Sequence, residues 1–133
     1  MNDIPMELTL LGAAVVIGLI QVVWTAVAGA KQRDPKWLAG PRDEPVLPLT
    51  GVAGRLDRAL SNFKESFPLF AAAVLAVTLA GKLGPLTLWG SALYVAGRAL
   101  YVPVYAAGVP MIRTLVWLAS MVGLIMILVA LFG

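Results

Sequence analysis

Long uncharged apolar stretches dominate the chain, and the first of them, Leu8 to Ala30, contains 23 residues. At about 1.5 Å per residue, an α-helix of this length crosses a hydrocarbon core of about 30 Å. Three further stretches follow, and the runs lack the alternation typical of barrel strands, which excludes a β fold in lipid. We predict an all-α integral membrane protein, a single domain (1–133) in which four spans form a transmembrane four-helix bundle: about residues 8–30, 54–81, 86–107 and 112–132.

The distribution of Lys and Arg predicts the orientation of these spans. Only 13% of the residues are charged. Basic residues concentrate in the first loop with its flanks, and Arg113 ends the short third loop, whereas Lys82 alone lies on the opposite side. The positive-inside rule then predicts cytoplasmic first and third loops and outward termini, in a bacterial inner membrane. The net charge of +3 is mostly this topology signal, so we expect membrane lipids and no nucleic acid as partners.

Two absent residue types limit the possible chemistry. The sequence contains no cysteine and no histidine. It therefore offers no disulfide, no thiolate metal site and no cysteine nucleophile, and it lacks the commonest general base and metal ligand. We expect no metal site, and Glu, Tyr and Arg are left to act on any ligand.

Arg98 is the best single indicator of a functional site, because it lies inside the apolar third span. A charged side chain at bilayer depth costs about 2.5–3.5 kcal/mol on insertion scales, and it usually faces a bundle interior or a polar cavity. Helical spacing places three tyrosines within an arc of about 60° around Arg98: Tyr94, Tyr101 and Tyr105. For Tyr94, simple packing is the better interpretation.

A second polar stripe lies in the first half of the second span. At about 100° per residue, four side chains fall within an arc of about 80° and extend about 15 Å along the helix: Arg55, Arg58, Asn62 and Glu65. Two polar stripes on packed helices predict a polar pocket.

The charges of these residues indicate what the pocket binds. One structural interpretation is that Glu65 merely neutralises Arg58 or Arg98. This pairing, however, leaves three positive charges unbalanced, because the two stripes and the third loop together contain four arginines and only one glutamate. Arginine binds carboxylates bidentately, so we favour a small ligand that carries carboxylates.

The combined pattern resembles the membrane-associated proteins in eicosanoid and glutathione metabolism, the MAPEG family, which includes microsomal glutathione transferases and leukotriene-C synthase. Nearly the whole chain takes part in the resemblance, including the four-span layout and the proline-bearing first loop. Three motifs carry it: Arg55, Arg58, Asn62 and Glu65 followed by Phe67, Pro68, Leu69 and Phe70; Arg98 with Tyr101 and Tyr105; and Arg113 at the start of the fourth span.

This resemblance implies a homotrimer with three sites at subunit interfaces, in which glutathione lies bent and a lipophilic electrophile approaches from the bilayer. Arg58, Asn62 and Glu65 would hold the peptide, and Glu65 would take its amino group. The same pocket would be lined by Arg98, Tyr101 and Tyr105, and Lys31 would reach a glutathione carboxylate. Arg113 would face the thiol and stabilise the thiolate, which is the nucleophile.

The implied activity is that of a membrane-bound glutathione transferase or peroxidase. Two alternatives stay open. The first alternative is a non-catalytic lipid-binding or scaffold protein. Ser66 follows Glu65 at a position where some relatives have a tyrosine. In addition, one branch of the family, the lipoxygenase-activating protein, binds lipid without catalysis. A small four-span drug exporter is less favoured, because such a protein needs an acidic residue in its first span and Leu8 to Ala30 offers only Gln21.

Overall fold

The computed structural model describes residues 3–133, and every regular element in that range is an α-helix. Four helices are long and one is short. Their bounds are α1 Met6–Ala30, α2 Pro35–Ala39, α3 Gly51–Leu79, α4 Pro85–Ala106 and α5 Pro110–Phe132. The long helices begin and end within three residues of the bounds predicted for the four spans, and the largest difference is that α3 begins at Gly51 rather than Gly54.

The short helix α2 lies in the proline-bearing first loop and was not predicted from the sequence. Pro35 occupies the first helical position, where its missing N–H costs nothing. The Asp34 side chain caps the helix by accepting from the Lys36 N–H at 2.9 Å. Five residues of helix thus form inside a loop that remains irregular up to Thr50.

Two helices in the described part of the chain are long and apolar enough to span a membrane, α1 and α5. Their most apolar 18-residue windows have mean hydropathies of 2.3 and 2.7, and only 22% of each window is buried. The core helix of a soluble protein is mostly buried instead, and large exposed side chains such as Leu19 and Leu115 are typical of a lipid-facing surface. Helices α3 and α4 carry the polar stripes, and their crossing of the membrane stays a prediction.

Helices α4 and α5 pack closely through small residues. A Cβ atom added to Gly90 would lie 2.7 Å from the carbonyl oxygen of Gly123, and one added to Gly97 would lie 3.0 Å from the Cβ of Ser120. Such positions let two backbones approach each other, as in membrane proteins generally. Gly108, with φ of 77°, lies in the turn between the two helices.

The buried side chains are mostly apolar at one end of the packed helices and mostly polar at the other, although a buried hydrogen bond from Thr87 to Glu7 also lies at the apolar end. The apolar end contains Phe70, Val74 and Ile127, and the ring of Tyr94 stacks on Phe70 with centroids 4.0 Å apart. The Tyr94 hydroxyl also shares a hydrogen bond of 2.9 Å with Ser66, so Tyr94 is a packed residue, in agreement with its interpretation from the sequence. The polar end, built from the first half of α3, the second half of α4 and the start of α5, holds the candidate site.

Candidate functional site

A cavity of about 400 Å³ lies among α3, α4 and α5 at the polar end of the bundle. It is lined by six of the eight residues that the sequence singled out, namely Arg58, Asn62, Glu65, Tyr101, Tyr105 and Arg113, together with Ser61, Thr114 and Trp117. The two polar stripes therefore do face one another, and the first turns of α5 close the third side. A volume of this size is typical of small-ligand pockets.

Tyr105 organises the cationic part of the cavity. Its hydroxyl oxygen accepts a hydrogen bond of 3.1 Å from Arg58 Nε. The guanidinium carbon of Arg113 lies 4.7 Å from the centre of the Tyr105 ring, and Tyr101 packs edge-on against this ring at 5.5 Å. Because the Tyr105 oxygen accepts from Arg58, its own O–H is left to donate to a ligand. Tyr105 thus contacts both Arg58 and Arg113 and places a hydrogen-bond donor beside them.

Arg98 lies behind the cavity wall. It is fully buried, and its Nη1 donates to Asn62 Oδ1 at 2.8 Å, while its guanidinium carbon lies 4.3 Å from the centre of the Tyr101 ring. This contact turns the Asn62 oxygen toward Arg98, so the Asn62 amide nitrogen is available to the cavity as a donor. Arg98 does not line the cavity, and its hydrogen bond to Asn62 is what connects it to the lining; its role in binding stays a prediction.

The Nε and Nη2 atoms of Arg98 are buried and have no hydrogen-bond partner among residues 3–133. Unpaired buried donors of a charged group are costly. Because these donors are costly to leave unpaired, a ligand atom or a water molecule next to the cavity wall is suited to accept a hydrogen bond from them.

A second cavity of about 190 Å³ adjoins the first and shares Arg58, Tyr105 and Arg113 with it. Arg55 adds a third guanidinium there. Its Nε donates to the carbonyl oxygen of Ala106 at 2.9 Å, which satisfies an otherwise free carbonyl at the end of α4. The two cavities together form an elongated, strongly cationic site.

Lys31 is the second predicted site residue that does not line the cavity, and unlike Arg98 it has no hydrogen bond to a lining residue among residues 3–133. It is the C-terminal cap of α1, its side chain is exposed, and it lines neither of the two cavities described above. Its assignment to a glutathione carboxylate stays a prediction that needs a second subunit or a movement of the first loop.

Three lining residues were missed by the sequence analysis: Ser61, Thr114 and Trp117. Thr114 lies one residue after Arg113 and Trp117 lies four residues after it, so helical spacing can place all three on one broad face of α5. Helical spacing from Arg113 was therefore the signal that could have identified them. Trp117 was overlooked because an aromatic residue in an apolar span is ordinarily packed or lipid-facing.

The chemical character of the site is that of an anion receptor with one acidic residue, Glu65. No group of three or more His, Cys, Asp or Glu side chains in the described range is arranged to hold a metal ion. The site can bind carboxylates through Arg58, and it can stabilise a developing anion beside Arg113 at the start of α5, where the helix dipole also favours negative charge.

The apolar helices and this cationic cavity define a class, that of helical integral membrane proteins with a polar cavity between their helices. The model of the MAPEG family matches residues 10–133, nearly the whole chain. The chain therefore belongs to the MAPEG family, the membrane proteins of eicosanoid and glutathione metabolism, and the resemblance inferred from its motifs is confirmed. A search of curated proteins found no match.

Proposed function

We propose that this protein is a membrane-bound glutathione transferase or peroxidase that uses the glutathione thiolate to conjugate or reduce a lipophilic electrophile. The observation that carries the proposal is the single cavity lined by Arg58, Asn62, Glu65, Tyr101, Tyr105 and Arg113. Membership of a glutathione-associated family supports the same ligand.

The charges of glutathione complement those of the site. The tripeptide has two carboxylates and one ammonium group, and the thiolate adds a further negative charge. Glu65 is the acidic residue of the cavity and is suited to the ammonium group, whereas Arg55 and Arg58 in the adjoining part are suited to a carboxylate. Ionisation of the thiol brings the ligand charge closer to balancing the cationic site, so the site favours the thiolate.

Arg113 is the residue proposed to stabilise the sulfur anion. A free thiol has a pKa of about 8.5 and is mostly protonated at neutral pH, and both a nearby cation and a helix N-terminus lower that value. Arg113 lies in the first turns of α5 and lines both cavities. Arg113 therefore places a cation at a helix N-terminus, and both features lower the pKa of a nearby thiol. Glutathione is activated for attack without a general base such as histidine.

We further propose that the protein works as a homotrimer of four-span bundles. Arg58 and Glu65 are exposed on the single chain, although they lie on a long helix of a membrane protein. Charged side chains facing lipid are expensive, and a neighbouring subunit that covers this face of α3 removes the cost and closes the site. The electrophile then enters from the bilayer, where apolar molecules accumulate.

The test is glutathione binding to the detergent-purified protein, followed by turnover with a generic aryl halide. The thiolate absorbs in the ultraviolet where the thiol does not, so titration of bound glutathione reports its pKa directly. Arg113→Leu is expected to raise that pKa and to lower turnover by roughly two to three orders of magnitude. The dissociation constant, measured at a pH where bound glutathione is still a thiol, should change little, because the contact is made mainly with the charged sulfur.

Lys64→Leu is the matched control, since it removes the same charge from an exposed position on α3 that lines neither cavity. Equal thiolate absorbance in the wild type and Arg113→Leu would remove Arg113 from the mechanism. Glutathione binding without turnover in the wild type would instead favour the non-catalytic lipid-binding or scaffold alternative.

A further inference from the structure

A third cavity, of about 280 Å³, opens on the other side of the molecule, between α1 and α4. Its walls are almost wholly apolar and include Ile20 and Trp24 of α1 and Val102 of α4. It shares no lining residue with the two cavities of the glutathione site. Gln21, which also lines it, lies nine residues before the end of α1, or about 14 Å along the helix, so the cavity lies at hydrocarbon depth.

Gln21 is the unexplained feature of this cavity. The residue is 1% exposed, and neither its Oε1 nor its Nε2 has a hydrogen-bond partner among the residues that the structure describes. An unpaired amide is costly wherever it is buried, and more so in a membrane, where no water replaces the missing partner. The three rotatable bonds of the side chain allow the amide to meet a partner that enters the cavity.

On the opposite wall, in α4, a backbone carbonyl lacks its usual helical hydrogen-bond donor. Pro103 has no N–H, so it cannot bond the carbonyl oxygen of Ala99 one turn earlier. Both residues line the cavity. The apolar cavity is therefore bordered on one wall by Gln21, whose buried amide can donate and accept once the side chain turns toward the cavity. On the other wall it is bordered by a backbone carbonyl that can only accept.

We propose that this cavity binds a lipid-soluble molecule that ends in a hydroxyl group. A hydroxyl donates one hydrogen bond and accepts two, so it can accept from Gln21 Nε2 while it donates to Gln21 Oε1 or to the Ala99 carbonyl. A carboxylate or an ammonium group does not suit the cavity, because its lining contains no charged residue. A pure hydrocarbon leaves the amide unpaired. The site is independent of the glutathione site and of the proposed catalysis.

Fluorescence of Trp24, which lies one turn from Gln21 and lines the cavity, provides the assay. In a variant whose other three tryptophans are changed to Phe, the probe is dodecanol brominated next to its hydroxyl group, because bromine quenches tryptophan on contact. Saturable quenching is expected for this alcohol, whereas bromododecane is expected to quench only in proportion to its concentration in the lipid. Unbrominated dodecanol should reverse the quenching, and dodecane should not.

Gln21→Leu is expected to raise the half-saturating concentration of the alcohol about tenfold, the equivalent of one lost hydrogen bond. Pro103→Ala supplies an N–H to the Ala99 carbonyl and is expected to weaken binding about threefold. Val23→Leu, on the exposed face of α1, is the control and should not change it.

Equal, unsaturable quenching by the alcohol and the bromoalkane would overturn the proposal, as would unchanged affinity in Gln21→Leu. Dissociation of the Gln21→Leu assembly in native mass spectrometry would also overturn it, because the amide would then contact a second copy of the chain. If neither variant folds, the competition between dodecanol and dodecane in the protein with native Gln21 and Pro103 still decides the question.

Discussion

Replacement of Arg98 by Met tests whether a fully buried cation serves ligand binding rather than folding. The substitution removes the hydrogen bond from Arg98 Nη1 to Asn62, worth about 1.5–3 kcal/mol for a charged donor, and the contact with the Tyr101 ring, worth about 0.5–2 kcal/mol. It also removes two buried nitrogen atoms, Nε and Nη2, that have no hydrogen-bond partner among residues 3–133, and each such unpaired polar atom costs about 1–3 kcal/mol. Losses and gains nearly cancel, so we expect the free energy of unfolding without ligand to change by about 1 kcal/mol or less.

Glutathione binding is expected to respond differently. Without Arg98 the Asn62 amide loses the contact that turns its nitrogen toward the cavity, and the site loses one of its positive charges. A loss of about 1.5–3 kcal/mol corresponds to a dissociation constant about 10- to 150-fold higher. Isothermal titration calorimetry measures the affinity, and thermal unfolding with and without glutathione measures the stability of each state.

The control for Arg98→Met is Lys64→Met, which makes the same change in net charge at an exposed position of α3 and should leave both measurements unchanged. The reasoning would be refuted if Arg98→Met lowered the stability of the unliganded protein by several kcal/mol while glutathione bound as tightly as before. Arg98 would then be a structural cation whose unpaired groups are satisfied by water.

Three further predictions follow from the site and the packing. Glu65→Gln should weaken glutathione binding by about 2–5 kcal/mol, and a glutathione analogue without the amino group should be insensitive to the change; unchanged glutathione affinity would contradict the pairing. Native mass spectrometry should find a trimer, and a monomer that still binds glutathione would disprove the shared site. Gly90→Ala should lower the free energy of unfolding by about 1–3 kcal/mol because α4 and α5 must separate, whereas Gly12→Ala, with open space around the added methyl group, should lower it little or not at all.

Helical periodicity explains why most of the site could be predicted from the sequence. The angular positions of Arg58, Asn62 and Glu65 on α3, and of Tyr101 and Tyr105 on α4, follow from 3.6 residues per turn alone. The same rule gave the approximate bounds of the four long helices, because uncharged apolar runs of membrane length have few other structures available. Local patterns thus determined which side chains share a face and what charge that face carries.

Periodicity does not determine how far each helix is rotated or shifted against its neighbours. The close approach of α4 and α5 at Gly90 and Gly123 fixes that relation for these two helices and brings Trp117 to the cavity. The packing of α3 against α4 places Arg98 behind Asn62. Small residues carry almost no signal in a sequence, yet they set the distance between two backbones. The sequence by itself therefore determined the membrane helices, their polar faces and the excess of positive charge. Only the tertiary structure decided which polar groups line a cavity and which, such as Arg98 and Gln21, are buried without a full set of partners in the described part of the chain. That outcome depends on contacts between residues far apart in the chain.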